Sequence, residues 1–122
     1  MIGPLMMCVS VVVLLLGMLA GIDMGIRQDF VLAPAHAHFN LIGGVLLFLF
    51  GLFYRLVPAA GTSRLAILQG WLHIVGGILF PAGVALVLLK GPSFLIAPIA
   101  GSLIVVAAMA LFAVIVLRTA RA

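Results

Sequence analysis

Four long apolar stretches separated by short polar breaks dominate this chain. The first runs from Leu5 to Ile26 and ends at Arg27-Gln28-Asp29. The second runs from His36 to Val57, with Pro34 suited to its first turn and Pro58 placed to stop it. Ala59-Ala60-Gly61-Thr62-Ser63 reads as a loop, in which Thr62 or Ser63 can cap the next helix. The third stretch spans Arg64 to Leu89, and Lys90-Gly91-Pro92-Ser93 forms the following turn. The fourth spans Phe94 to Leu117 and leaves a basic tail, Arg118 to Ala122. A membrane-spanning helix needs about 20 apolar residues, and each stretch supplies them. Short connections make consecutive helices antiparallel neighbours. The expected fold is therefore an all-α membrane protein, a single domain over residues 1–122 with four transmembrane helices in an up-down antiparallel bundle.

Composition agrees with this pattern. The chain has 122 residues, 67% of them hydrophobic, with six basic and two acidic side chains. No water-soluble domain of this size hides so much apolar surface, so the lipid bilayer is the expected partner. Met1 to Ala20 has the length of a signal peptide, but it lacks a basic start and the apolar pattern continues past it. It reads as a retained helix. The net charge of +4 does not imply nucleic acid, because the basic residues lie between or beyond the apolar runs. Arg55, Arg64, Arg118 and Arg121 fall on one side, and Arg27 and Lys90 fall on the other with Asp29. The positive-inside rule then puts both termini in the cytoplasm, in the inner membrane of a bacterium. It also puts His36 and His38 near the outer face. The single Cys8 precludes an intrachain disulfide.

Polar groups inside a membrane are costly and mark function. Here they are Asp23, His36, His38, Asn40, Gln69 and His73. Residues i and i+2 of a helix lie about 200° apart. His36 and His38 therefore face opposite ways and suit two separate sites better than one shared metal ion. A neutral imidazole is a good iron or copper ligand, and a haem adds an apolar disc that helices can bury. Asn40, one turn from His36, can make a supporting contact or bond a neighbouring helix. His73 lies roughly 13 Å along its helix from Arg64, too far from His38 to share a small metal ion within one chain. It can face a distal haem position, pair with another subunit, or hydrogen-bond across helices. Asp23 can reach the outer surface or pair with Arg27, four residues on. Arg27 can alternatively meet haem propionates. Tyr54 and Trp71 are expected in an aromatic belt at the inner interface. Gly43, Gly44, Gly51, Gly76 and Gly77 allow close helix approach or leave room for a flat cofactor.

The segment Ala35 to Pro58, AHAHFNLIGGVLLFLFGLFYRLVP, resembles the tenth helix of cytochrome c oxidase subunit I in the haem-copper oxidase superfamily. The H-x-H pair, Gly44, the aromatic pair Phe53-Tyr54 and Pro58 carry the resemblance. A weaker likeness continues through Leu68-Gln69-Gly70-Trp71-Leu72 to Gly76, with Gln69 where the family has histidine. The resemblance implies that His36 is the proximal ligand of a high-spin haem and His38 an axial ligand of a low-spin haem. It covers about a third of the chain, Ala35 to Gly76. The family's copper-site histidines and its crosslinked tyrosine have no counterpart here, so copper is not expected, and its low-spin partner histidine is missing unless His73 or another chain supplies it. The family's subunit has about twelve helices in three four-helix arcs, which makes a homo-oligomer, for example a trimer, or association with other respiratory subunits the expected assembly.

The leading expectation is a membrane protein carrying electrons through b-type haem, with His36, His38, His73, Arg27 and Asn40 as cofactor-binding residues. The alternative is a structural or assembly subunit working with other respiratory subunits. A four-helix exporter would rely on an intramembrane glutamate, and the chain has none. Copper handling through Met6, Met7, Met18 and Met24 is set aside, because these methionines are spread along a whole helix where packing explains them.

Overall fold

The computed structural model describes residues 1–122 and is helical, with no strand. Four helices are long and apolar enough to cross a membrane: α1 (Gly3–Arg27), α2 (Ala33–Leu56), α3 (Arg64–Lys90) and α4, whose regular part is Ile96–Arg121. At 25 residues, α1 is about 38 Å long, more than the roughly 30 Å hydrocarbon layer of a bilayer. These four spans make the chain a multi-pass membrane protein.

Local chemistry explains the helix ends. At the end of α1 the chain turns left-handed at Gln28 (φ 50°), whose N–H donates to the Met24 carbonyl. Helix α2 begins at Ala33, not at His36, so Pro34 lies in its first turn and both histidines are inside the helix. Val57, ahead of Pro58, leaves helical geometry (φ −121°, ψ 76°), as the residue before a proline tends to. A single turn, Pro58–Gly61, follows. Ser63, rather than Thr62, caps α3, its Oγ accepting from Ala66 N–H at 3.1 Å. Gly91 ends α3 at φ 101°, a region that glycine tolerates best. A 3₁₀ turn, Pro92–Phe94, leads into α4.

Helix α2 is not uniform. Between α-helical Ala33–His38 and Leu47–Leu56, residues Phe39–Leu46 form a π-helix. Such segments are rare and favour functional positions. Nothing in the apolar pattern marks this one.

Glycines set how closely the helices approach. A Cβ on Gly51 would lie 2.8 Å from the Gly3 carbonyl oxygen, and one on Gly83 would lie 2.5 Å from Pro98 N. Gly43 and Gly77 meet directly, for a Cβ on Gly43 would lie 2.8 Å from the Gly77 oxygen. That oxygen lacks its usual i+4 donor, because position 81 of α3 is proline. It lies against the α-carbon face of Gly43.

The apolar core lies toward the end of the bundle away from the histidine pair. Ile2, Met6, Leu47, Phe50, Tyr54, Ala66, Ile74 and Ile115 are buried there. Phe50 stacks on Phe112 of α4 with ring centroids 3.9 Å apart. Tyr54 is a correction to the expected aromatic belt: it is fully buried. Its hydroxyl donates to Gln69 Oε1 at 2.8 Å, and Gln69 Nε2 donates to the Ala108 carbonyl at 3.3 Å. This polar chain joins α2, α3 and α4. An outward register would have left Gln69 unsatisfied inside the bundle, which explains why Tyr54 turns inward. Trp71 is exposed on the outside of α3.

Charge is divided between the two ends. Arg55, Arg64, Arg118 and Arg121 share the end where the chain termini meet the α2–α3 connection, and no acidic residue lies there. At the other end Arg27 and Lys90 are balanced by Asp23 and Asp29. Replacing Tyr54→Phe removes the donor to Gln69 and is expected to lower stability by about 1 kcal/mol, measured by reversible unfolding in mixed micelles. An unchanged stability would show that the chain of polar contacts contributes nothing.

Candidate functional site

The histidine end of the bundle is built on the first turns of α2. His38 is half-buried against α3, its ring edge-on to Phe80 with centroids 4.8 Å apart. Its Nδ1 lies 2.7 Å from the Pro34 carbonyl oxygen. A carbonyl can only accept, so Nδ1 carries a proton, and in the neutral ring Nε2 then keeps its lone pair. Metal-binding histidines are commonly oriented in this way, with the second nitrogen donating to a carbonyl.

His36 faces a different surface. It lies against α1 at Gly21, where a Cβ would come within 3.2 Å of the imidazole Cε1. Asn40 Nδ2 is 3.1 Å from His36 Nε2 and 3.4 Å from Nδ1. The Asn40 side chain occupies the notch at Gly17, where any Cβ would overlap Asn40 Oδ1. That oxygen is buried and has no hydrogen-bond partner. Two α1 glycines one turn apart thus admit the Asn40–His36 pair.

His36 also lines an open furrow between α1 and α3, floored by α2, of about 320 Å³. Ala35, Phe39, Ile78 and Pro81 make its walls mainly apolar, and Asp23, Arg27 and His36 supply its polar groups. Arg27 Nη2 donates to Asp23 Oδ2 at 2.7 Å, and both side chains are largely exposed. An exposed pair of this kind adds little stability, but it holds a guanidinium beside the furrow. A second, wholly apolar hollow of about 470 Å³ adjoins the first, with Phe39 and Ile78 lining both. Single binding sites span roughly 300–1,000 Å³, so the furrow has the capacity of one.

The expected site residues therefore divide into groups. Arg27 and His36 share the furrow, with Asn40 behind His36. His38 lines neither hollow and faces α3. His73 is fully buried, edge-on to Phe50 at 4.8 Å, and its Nε2 donates to the Ile42 carbonyl at 2.9 Å. Its Nδ1 is buried without a partner. No three His, Cys, Asp or Glu side chains converge. A porphyrin brings four nitrogen donors of its own, so one or two imidazoles complete its iron site.

Sequence reasoning missed four participants: the Pro34 carbonyl, Phe80, and the glycines Gly17 and Gly21. The two glycines are spaced as a small-xxx-small pair, a signal available in the sequence. The role of the Pro34 carbonyl had no sequence signal, because any residue there presents one. The His38 tautomer is open to direct measurement. Nitrogen NMR of ¹⁵N-histidine-labelled protein is expected to show a proton on His38 Nδ1. A bare Nδ1, with the proton on Nε2 alone, would refute the geometry.

The chain matches no family model, no curated protein and no solved structure.

Proposed function

We propose that this chain is a haem-binding membrane protein that carries electrons through b-type haem, with His36 and His38 serving two separate axial positions. The observation that carries this reading is the division of the histidine pair. His36 faces a furrow with Arg27 beside it, whereas His38 faces α3 with Nδ1 committed to Pro34 and Nε2 free. Bound haem supplies a one-electron ferric–ferrous couple. The chain's own residues orient and insulate that couple. Asn40 steers the His36 ring, Phe39 and Ile78 exclude water from the furrow, and Arg27 offers donors to carboxylates at its edge. The only cysteine, Cys8, leaves no pair of thiols for covalent attachment, which favours a non-covalent, b-type group.

The arrangement in the membrane belongs to the same proposal. Contacts pair Gly3 with Gly51 and Gly21 with His36, then Tyr54 with Gln69 and His38 with Phe80. Each pair ascends one helix as it descends the next, which supports an up-down antiparallel bundle. With four arginines at the end bearing the termini, that end is cytoplasmic in a bacterial inner membrane, and the histidine pair lies toward the outer face. One chain offers few axial donors, so further ligands come from a second copy, as in a trimer, or from another respiratory subunit.

Optical spectroscopy tests the reading. Protein purified after expression with ample haem is expected to show a Soret band and a reduced α-band. His36→Ala and His38→Ala are each expected to remove or shift one set of bands and leave the other. Asn40→Ala is expected to weaken haem retention by about tenfold or more. Protein that folds yet holds no haem would overturn the proposal.

A further inference from the structure

The structure assigns His73 a positioning role: its hydrogen bond to Ile42 holds the π-helical segment of α2, and that segment sets the direction in which His36 and His38 point. A π turn closes i→i+5 bonds and so takes up one residue more than an α turn. The extra residue lies between the histidine pair and the remainder of α2, within Phe39–Leu46. If the segment relaxed to an α-helix, everything before it would turn by the angle of one residue, about 100°. Ala37, now exposed, would take the direction of His36, and His38 would take that of Ala37. Neither histidine would then face the surface described for it.

Contacts along α2 bear out this phase. His36, Asn40 and Gly44 all meet α1, at Gly21, Gly17 and Leu14 respectively. Successive steps of four residues drift by about 40° each in an α-helix. The wider π turn removes that drift and keeps the three in line.

A π segment is intrinsically rare, so tertiary contacts have to hold it. Besides the contacts of Asn40 and Gly44 with α1, two come from α3. His73 Nε2–H donates to the carbonyl of Ile42, within the π turn, at 2.9 Å. One turn further along α3, the Gly77 carbonyl, which lacks its i+4 donor, lies against Gly43, the next residue of the π segment. His73 is the only side-chain donor to this segment. Its full burial and fixed Nε2 proton make it a clamp on backbone geometry.

The test concerns the same histidines as the proposed function but needs no cofactor, so the two can fail separately. In a Cys8→Ala background, Gly21→Cys is paired with His36→Cys or with Ala37→Cys, and disulfide formation under mild oxidation is followed in membranes. With His73 present, the 21–36 pair is expected to crosslink and the 21–37 pair to remain open. His73→Leu is expected to reverse this preference, whereas His73→Gln, which keeps an N–H donor, retains the original one. Deleting the exposed Leu41 removes the extra residue itself. Combined with His73→Leu, it is expected to restore the 21–36 crosslink. An unchanged pattern in His73→Leu would overturn the assignment. If His73→Leu alone does not fold, the assignment stands or falls with the deletion variant: restoration supports it, and failure to restore refutes it.

Discussion

The approach of α2 to α3 at Gly43 and Gly77 is the constraint on which the histidine end depends. Two features bring the backbones together there. Neither residue has a side chain, and Pro81 leaves the Gly77 carbonyl without a helical donor. In lipid there is no water to satisfy that carbonyl, so a neighbouring backbone must cover it. The same crossing brings His73 within reach of Ile42 and brings Phe80 against His38. A larger residue at either glycine would separate the helices and disturb both contacts together.

The bundle divides into two regions with different chemistry. Around Tyr54 it is closed, packed with aromatic rings and linked across three helices by Gln69. Around His36 it is open, with glycines on α1 and a furrow between α1 and α3. The two regions depend on each other. Tight packing at one end fixes the helix axes, and this allows the other end to keep an unfilled space without collapsing. Two buried acceptors lack partners: Asn40 Oδ1 beside the open region, and His73 Nδ1 deeper in, where its ring meets Phe50 of the closed region.

Much of the helical layout was legible in the amino-acid pattern because lipid imposes length and hydropathy on each span. Pro34, Pro58 and Ser63 marked real boundaries for stated chemical reasons. The opposed directions of His36 and His38 were also legible, since both lie in regular α-helix before the π segment begins. The inward turn of Tyr54 was not, because aromatic residues near a helix end suit either an interface or a core. The π segment was invisible as well: it adds no unusual residue, and contacts with α1 and α3 sustain it. The furrow depends on which helices become neighbours across the bundle, and hydropathy does not encode that.

The division of charge between the two ends has an electrical consequence. Arg27 and Lys90 are offset by Asp23 and Asp29, so the whole formal charge of +4 belongs to the other end. Inverting an inserted copy would carry those four charges across the membrane. With the arginine end cytoplasmic, as proposed, this would require roughly 9 kcal/mol of electrical work against a potential of about 100 mV, before any cost of dehydrating the arginines. In that proposed arrangement copies inserted in the same sense would stay in it, and a symmetric assembly of them would have its axis along the membrane normal, with every furrow opening at the same depth and every histidine pair on the same side.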